Sequence, residues 1–322
     1  MNVRIPVLIL LLLVQIAIAA WGTAPAQYKA ETGQFETGTA SGVRVYIPER
    51  NRNLLLNVSY PKGTGPFPLI VFFHGALCSA DGYADLAEYW ASHGYVVLLP
   101  SHPDTGRSTR RDQEQQLKAF LEQVADMSSI LDSIDDITTQ IEPLSDKVDL
   151  SRAVAAGHSM GALIATVAGG LPRLMADGGH LSLKDDRFDA LVLLSGPGPL
   201  PRTPQNGWES VTLPTLVTTG TRDHANRGGE GATWEWRLGA FRLTPPGNKY
   251  GLVIDEADHF LGGMICAERA AGPPDHEAFA IVRSVSTAFL DAYLKNSRSA
   301  LDFLQGATIA KETNGRAELL SR

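Results

Sequence analysis

Short, continuous apolar segments most narrow the range of folds open to this chain. Residues 69–73 read LIVFF and residues 95–99 read YVVLL, and each segment has the length of one strand. A segment without alternating polar residues predicts a strand buried on both faces, as in parallel sheets covered by helices. Further strands are predicted over residues 43–47, 54–60, 153–156, 191–194, 213–219 and 250–254.

Between these segments the spacing of apolar residues is typical of amphipathic helices. Helices are predicted over residues 80–93, 111–141, 159–168 and 277–294. Residues 111–141 are predicted to form one long helix because apolar side chains recur every three or four positions. Strands that alternate with helices in this way predict an α/β fold, with a mostly parallel central sheet and helices on both faces.

The composition is that of an ordinary globular protein, with 44% hydrophobic and 20% charged residues among 322. The net charge is −7. No basic stripe with interleaved aromatic residues is present, which argues against nucleic-acid binding. We predict one domain over residues 42–296, after a loose lead-in over 21–41 and before a C-terminal extension over 297–322. The chain beyond Lys311 is polar, and we expect it to be frayed.

The first 20 residues have the pattern of a secretory signal peptide. Arg4 supplies a positive charge, residues 7–20 are almost wholly apolar, and residues 17–19 (AIA) match the small-residue pattern before a cleavage point. The apolar segment is shorter than the roughly 20 residues of a spanning helix, which disfavours a membrane anchor. We therefore predict a secreted or periplasmic protein without stable membrane insertion.

Residues 157–161 (GHSMG) form a GxSxG pentapeptide. The pattern alone is weak, but here a predicted strand leads in and a predicted helix leads out, which is the setting of a nucleophile elbow. We predict that Ser159 is a nucleophile. The N–H of Met160, at the start of the helix, is then one donor to an oxyanion. The alternative is a plain glycine-bounded turn capped by serine.

A serine nucleophile needs a base, and the base needs an acid that orients it. In the fold that carries a nucleophile elbow, the chain order is Ser, acid, His. His259 follows the strand predicted over 250–254 and is the predicted base. Asp223 ends the segment after the strand over 213–219 and is the predicted acid. Asp255 and Asp258 are the competing candidates, although they lie very near His259 in sequence.

A second oxyanion donor is expected after the strand over 69–73, where the sequence continues HGAL. We select the N–H of Ala76, with Leu77 as the alternative. Gly75 allows the backbone to come close to a substrate. His74 is expected to be structural, binding loop backbone.

The segments FFHG, YADLAEYWASHGYVVLLP, GHSMG, GTRD and ADHF resemble the secreted α/β hydrolases over roughly residues 42–296. The most similar groups are the dienelactone hydrolase-like proteins, the plasma-type platelet-activating-factor acetylhydrolases and the cutinase-like polyester hydrolases. The resemblance implies an α/β-hydrolase fold and a carboxylic ester hydrolase with Ser159, Asp223 and His259 as its triad. It also implies a small-molecule ester as substrate, and neither a metal nor another cofactor.

Other activities on the same residues stay open, namely acyl transfer, peptide cleavage and a non-catalytic binding role. The sequence does not specify an oligomeric state.

Residues 195–212 are rich in Pro and Gly and cannot form a sizeable helix. We therefore predict that no large lid covers the site and that substrates with short acyl groups are preferred.

Cys78 and Cys266 are the two cysteines of the chain. Both are predicted to lie on the carboxyl side of the sheet, so one disulfide and two separate buried thiols are the alternatives in an exported protein. No CxxC or His-rich spacing is present, which disfavours a structural zinc site.

Overall fold

The computed structural model describes residues 28, 30–102, 113–224, 233–270, 272–306 and 308–322. Its strands are β1 (Thr37–Ile47), β2 (Arg52–Pro61), β3 (Phe67–Phe73), β4 (Val96–Ser101), β5 (Val148–His158), β6 (Arg173–Leu174), β7 (His180–Leu181), β8 (Phe188–Leu194), β9 (Thr215–Gly220), β10 (Lys249–Ile254) and β11 (Ala317–Ser321). Its α-helices are α1 (Ala84–Ser92), α2 (Gln113–Asp132), α3 (Ile134–Thr139), α4 (Met160–Ala168), α5 (Gly239–Leu243), α6 (His276–Leu294), α7 (Arg298–Gln305) and α8 (Thr308–Glu312).

Within the described residues, nine strands form one sheet in the order β1-β2-β4-β3-β5-β8-β9-β10-β11. Neighbouring strands from β4 to β10 run parallel, and the antiparallel pairs lie at the two edges. All residues of β3 are buried, as expected for a central strand covered on both faces. The predicted mostly parallel sheet is confirmed.

Two hydrophobic clusters cover the faces of the sheet. One cluster joins Leu69 and Val71 of β3 to helices α2, α3 and α4. The other joins Ile70 and Phe72 to α1 and α6. Because successive side chains of a strand point to opposite faces, β3 contributes to both clusters in alternation. The prediction of helices on both faces is therefore confirmed.

The prediction of one helix over 111–141 is wrong within the described residues. Helix α2 ends at Asp132 and α3 starts at Ile134, with Ser133 between them at φ −105° and ψ 15°. The N–H of Ser133 donates to the carbonyl of Ile130, which closes the last turn of α2 tightly. The break keeps Ile134 and Ile137 buried, so the apolar spacing alone did not reveal it.

The expectation of a frayed tail beyond Lys311 is also wrong. Strand β11 pairs antiparallel with β10. Tyr250 lies opposite Ser321 at one end of the pair, and Ile254 lies opposite Ala317 at the other. Arg316 donates to the carboxylate of Asp275 at 2.6 Å, which holds the chain just before β11. A half-exposed edge strand carries polar residues on one face, so a polar composition did not exclude it. The sheet extends from Thr37 to Ser321.

The predicted signal peptide over residues 1–20 lies outside the described residues. Among the described helices, none is long and apolar enough to cross a membrane. Residues 195–212, where a lid was not expected, contain one short 3₁₀ helix, Gly207–Ser210.

Candidate active site

Ser159 is the single residue between the end of β5 and the start of α4. Its backbone has φ 54° and ψ −108°, a region that residues other than glycine seldom adopt. Its N–H donates to the carbonyl of Leu194 at 2.9 Å, which ties the turn to the end of β8. The sharp turn holds Ser159 at the carboxyl end of the sheet, as the pentapeptide predicts.

Two glycines make this turn sterically feasible. A Cβ on Gly157 would collide with the backbone of Gly161, and a Cβ on Gly161 would collide with the carbonyl of Phe73. Strand β5, helix α4 and strand β3 therefore approach more closely than any other residue type would permit.

Asp223 and His259 follow β9 and β10, at the same end of the sheet as Ser159. His259 Nδ1 lies 2.7 Å from Asp223 Oδ1. The Asp223 side chain is fully buried, whereas that of His259 is 19% exposed. Burial acts to raise the pKa of Asp223, but the hydrogen bond and charge of His259, with the charge of Arg237, outweigh it and lower the pKa to about 2.

The two competing candidates for the acid, Asp255 and Asp258, form hydrogen bonds with groups other than the His259 imidazole. Asp255 Oδ1 accepts a hydrogen bond from the Thr221 hydroxyl at 2.9 Å. Asp258 Oδ1 accepts from the N–H groups of Phe260 and Gly262, each at 2.9 Å, and so fixes the turn after His259. Of the three aspartates, Asp223 is the one bonded to the imidazole.

Residues 74–77, here called the 74–77 loop, lie beside the elbow. The N–H of Cys78 donates to the carbonyl of Gly75 at 3.2 Å, and Leu77 has a positive φ of 65°. Ala76, Ser159 and His259 line one cavity of about 410 Å³. Asp223 lies behind His259.

Met160 also borders this region. It lines a narrow space of about 60 Å³ together with Ala76 and Ser159. As the first residue of α4 it has an N–H without an intrahelical acceptor. The structure thus brings both predicted oxyanion donors next to Ser159.

Comparison with known proteins finds ester hydrolases among the similar sequences. A sequence model of the chlorophyllase family matches residues 29–188, slightly less than half of the chain. The chain is 24% identical over 206 residues to cutinase est2 from Thermobifida alba, covering 63% of this chain and 56% of the relative. It is 30% identical over 111 residues to esterase YjfP from Escherichia coli (strain K12), covering 33% and 42%.

A third relative is chlorophyllase type 0 from Chenopodium album, at 34% identity over 68 residues, or 21% of this chain and 19% of the relative. The chain is a relative of the α/β-hydrolase esterases. It spans less than two thirds of the length of each of these three relatives. The family match contains Ser159 and the 74–77 loop and ends before Asp223 and His259.

A buried hydrogen-bonded chain connects the 74–77 loop to His259, and the sequence analysis missed it. The N–H of Gly75 donates to Tyr83 Oη at 3.0 Å, and Tyr83 Oη lies 2.7 Å from His158 Nδ1. His158 Nε2 lies 2.9 Å from the backbone carbonyl of His259. No short-range signal marks this chain, because Tyr83 lies far from the GHSMG motif in sequence.

The hydrogen-bond partners fix the protonation of His158. A carbonyl only accepts, so Nε2 carries the proton and Nδ1 accepts from the Tyr83 hydroxyl. Complete burial, followed by the charge of His259, lowers the pKa of His158 well below its usual value. His158 is therefore a neutral, structural imidazole.

A disulfide also joins the residue that follows the 74–77 loop to the segment after His259. Cys78 and Cys266 are bonded, with their Cα atoms 5.3 Å apart. The N–H of Cys266 donates to the carbonyl of Gly82 at 2.9 Å, and the N–H of Ser79 donates to Glu268 at 2.8 Å. Of the two alternatives that the sequence left open, the structure has the disulfide.

Arg237 is the second partner of the buried aspartate, and the sequence analysis also missed it. Its Nε donates to Asp223 Oδ1 at 3.1 Å, and its guanidinium lies over the Trp236 ring at 5.4 Å. Arg237 lines the cavity beside Ser159.

His74 was expected to have a structural role. Its Nδ1 lies 2.9 Å from the backbone carbonyl of Gly75, in the 74–77 loop.

Proposed function

We propose that this protein hydrolyses carboxylic esters through an acyl-enzyme on Ser159, with His259 as the base and Asp223 as the orienting acid. The observation that carries the proposal is the 2.7 Å Asp223–His259 hydrogen bond, behind an imidazole that lines the same cavity as Ser159. A serine hydroxyl becomes an effective nucleophile when such a base accepts its proton. The relatives named esterase, cutinase and chlorophyllase support ester hydrolysis.

In the first half of the reaction, Ser159 Oγ attacks the ester carbonyl and its proton passes to His259 Nε2. The negative oxygen that forms is stabilised by the N–H groups of Ala76 and Met160. When the carbonyl re-forms, the bond to the alcohol oxygen breaks and His259 returns the proton to that oxygen. The alcohol leaves, and an acyl-Ser159 ester remains.

In the second half, water attacks the acyl carbonyl and gives a proton to His259. Collapse of the intermediate breaks the bond to Ser159 Oγ, which recovers the proton, and the carboxylic acid is released. Asp223, with its pKa lowered to about 2, stays ionised throughout and stabilises the charged imidazole. No cofactor takes part in this scheme.

The proposal includes a preference for short acyl groups. Residues 195–212 hold one 3₁₀ helix, Gly207–Ser210, and no helix of the size of a lid. A cleft that residues 195–212 do not cover leaves a long acyl chain partly in water, which gives that chain little stabilisation.

Export is a further part of the proposal and rests on the apolar pattern of residues 7–20. The mature protein should begin near Ala20, or at Gln27 if cleavage follows residues 24–26. N-terminal sequencing of secreted material tests this directly. A folded product that retains Met1 would contradict it.

The decisive experiment combines covalent labelling with turnover. A fluorophosphonate probe should label the wild-type protein at Ser159, and Ser159→Ala should abolish labelling. The same variant should lower kcat for 4-nitrophenyl acetate by about 10⁴-fold or more while its thermal unfolding stays near that of wild type. Ser151→Ala, the same change at an exposed position, is the matched control. Near-normal turnover in Ser159→Ala would reject the proposal.

A further inference from the structure

A second cavity continues from the serine along one side of α4. It has a volume of about 390 Å³. Met160, Leu163 and Leu200 line both this cavity and the narrow space that adjoins Ser159. Phe120 of α2 forms part of its far wall. The two spaces share these three apolar side chains, and together they are here called the α4 groove.

Two arginines, Arg173 and Arg202, line the larger cavity of the α4 groove and not the narrow space beside Ser159. Arg173 is only 6% exposed. Its Nη2 donates to the Pro201 carbonyl at 2.9 Å and its Nη1 donates to the Thr203 hydroxyl at 3.0 Å. Its guanidinium lies 5.7 Å from the centre of the Phe120 ring. The cation is thus held in one orientation at the wall of the groove.

Neither guanidinium has a carboxylate partner in the part of the chain that the structure describes. Arg173 Nε is buried and has no hydrogen-bond acceptor among those residues. Burial, followed by the charge of Arg202, lowers the pKa of Arg173. Two neighbouring cations without a counter-ion repel each other, and a bound anion would offset that repulsion.

The chemistry of the leaving group indicates which part of an ester would enter the α4 groove. His259 must donate a proton to the leaving alcohol, so the alcohol lies on the His259 side of Ser159. That side is the cavity lined by His259 and Phe260, and neither residue lines the α4 groove. The acyl group therefore extends in the other direction, past Met160 and into the groove.

We propose that the preferred substrates are esters whose acyl group ends in an anion, as in a monoester of a linear dicarboxylic acid. The methylene groups lie against Met160, Leu163 and Leu200, and the terminal carboxylate accepts hydrogen bonds from Arg173 and Arg202. This inference rests on the proposed esterase function and adds the chemical class of the acyl group.

The test compares mono-4-nitrophenyl esters of linear dicarboxylic acids, from adipate to sebacate, with esters of the monocarboxylic acids of equal chain length. For at least one length, the carboxylate-ended ester should have a kcat/KM about tenfold higher, the effect of one charge-assisted hydrogen bond. Arg202→Gln should remove this preference. Arg44→Gln removes the same charge from an exposed position on β1 and should keep the preference.

A binding measurement makes the inference testable without turnover. Titration calorimetry with adipate, suberate and sebacate should show binding to the wild-type protein that weakens about tenfold in Arg202→Gln and weakens further with added salt. Hexane-1,6-diol, octane-1,8-diol and decane-1,10-diol, which have the same chain lengths and carry no charge, should show no such dependence on Arg202.

The outcomes separate the two proposals. Equal kcat/KM for the paired esters at every length, or a preference that survives Arg202→Gln, overturns the anion site and leaves the esterase function standing. If neither ester of a pair is hydrolysed, the esterase function fails and calorimetry decides the anion site. Dicarboxylate affinities that are equal in wild type and Arg202→Gln then overturn it.

Discussion

Tyr83 and His158 share a hydrogen bond of 2.7 Å that links the 74–77 loop to the backbone of His259. Both side chains are buried, and each makes a second hydrogen bond, to Gly75 N–H and to the His259 carbonyl. One rigid connection therefore sets the position of a predicted oxyanion donor relative to the predicted base. Neither Tyr83 nor His158 has a step in the proposed reaction, so we regard both as positioning residues.

Removal of the Tyr83 hydroxyl should separate these two elements. Tyr83→Phe leaves the Gly75 N–H and His158 Nδ1 without a partner, at a cost of about 1–3 kcal/mol in the free energy of unfolding. Because Gly75 precedes Ala76, we expect kcat for a short ester to fall about tenfold or more while KM changes little. Steady-state kinetics and urea unfolding measure both effects.

Tyr46→Phe is the matched control for this change, because Tyr46 is 55% exposed and its hydroxyl bonds Asn51 at the surface. It should leave kcat unchanged. A Tyr83→Phe enzyme that loses stability yet keeps its kcat would assign Tyr83 a purely structural role.

Asp223 should make the stability of the protein depend on pH in a defined window. Its pKa is about 2 in the folded protein against 3.8 ordinarily, so the folded state binds the proton less tightly than the unfolded state. The stabilisation is present above about pH 4 and is lost as the pH falls toward 2. The difference in unfolding free energy between wild type and Asp223→Asn should therefore shrink over that range.

Asp255→Asn is the control for this prediction, because Asp255 is exposed and bonds Thr221. Its unfolding, measured over the same pH range, is the baseline against which the effect of Asp223→Asn is read. At neutral pH, Asp223→Asn should lower kcat by up to about 10⁴-fold, because the imidazole loses its orienting carboxylate. A larger kcat loss in Asp255→Asn or Asp258→Asn would transfer the role of the acid to that residue.

The sequence was sufficient to place Ser159, Asp223 and His259 because each position follows from strand ends and chain order. The carboxyl ends of parallel strands meet at one edge of the sheet, so residues that follow β5, β9 and β10 come together. Their placement could be predicted in this way, whereas their catalytic roles await the experiments above.

The partners of these residues could not be predicted, for a physical reason. Tyr83 contacts His158, and Arg237 contacts Asp223, across turns whose paths depend on tertiary packing rather than on periodicity. Ser133, where α2 gives way to α3, and strand β11 were missed for a related reason. Apolar spacing is preserved through the break, and an edge strand needs only one apolar face.

The disulfide should stabilise both the fold and the cavity. Cys78 and Cys266 are 188 residues apart in sequence, so the bond restricts the unfolded chain strongly. For a closed loop of that length the chain-entropy relation gives about 5 kcal/mol, and measured losses are about 2–5 kcal/mol. Reduction should lower the unfolding midpoint accordingly and should also lower kcat, because Cys78 adjoins the 74–77 loop.

A double Cys78→Ser, Cys266→Ser variant is the control, since its stability and activity should not respond to reductant. Alkylation of the unfolded, unreduced protein, followed by mass spectrometry, gives an independent check. Two alkylated cysteines in that sample would show that the bond is not formed in the isolated protein.

The α4 groove leads to a prediction about the length of apolar acyl chains. A chain that grows along Met160 and Leu163 gains apolar contact until it meets Arg173 and Arg202, where a methyl end would desolvate the guanidinium groups without pairing them. In a series of 4-nitrophenyl esters from acetate to palmitate, kcat/KM should therefore be highest for short chains and at least about tenfold lower for palmitate.

Arg202→Leu should change this profile in a specific direction. The variant replaces one cation at the end of the groove by an apolar side chain, so kcat/KM for the decanoate ester should rise relative to the butyrate ester. Arg44→Leu should leave this ratio unchanged.

The rate of ester hydrolysis should increase smoothly as the substrate concentration passes the micellar threshold, because residues 195–212 hold no helix that could act as a lid. A wild-type preference for palmitate, or a jump in rate at that threshold, would show that a long acyl chain is covered during the reaction and that the cleft does not stay open.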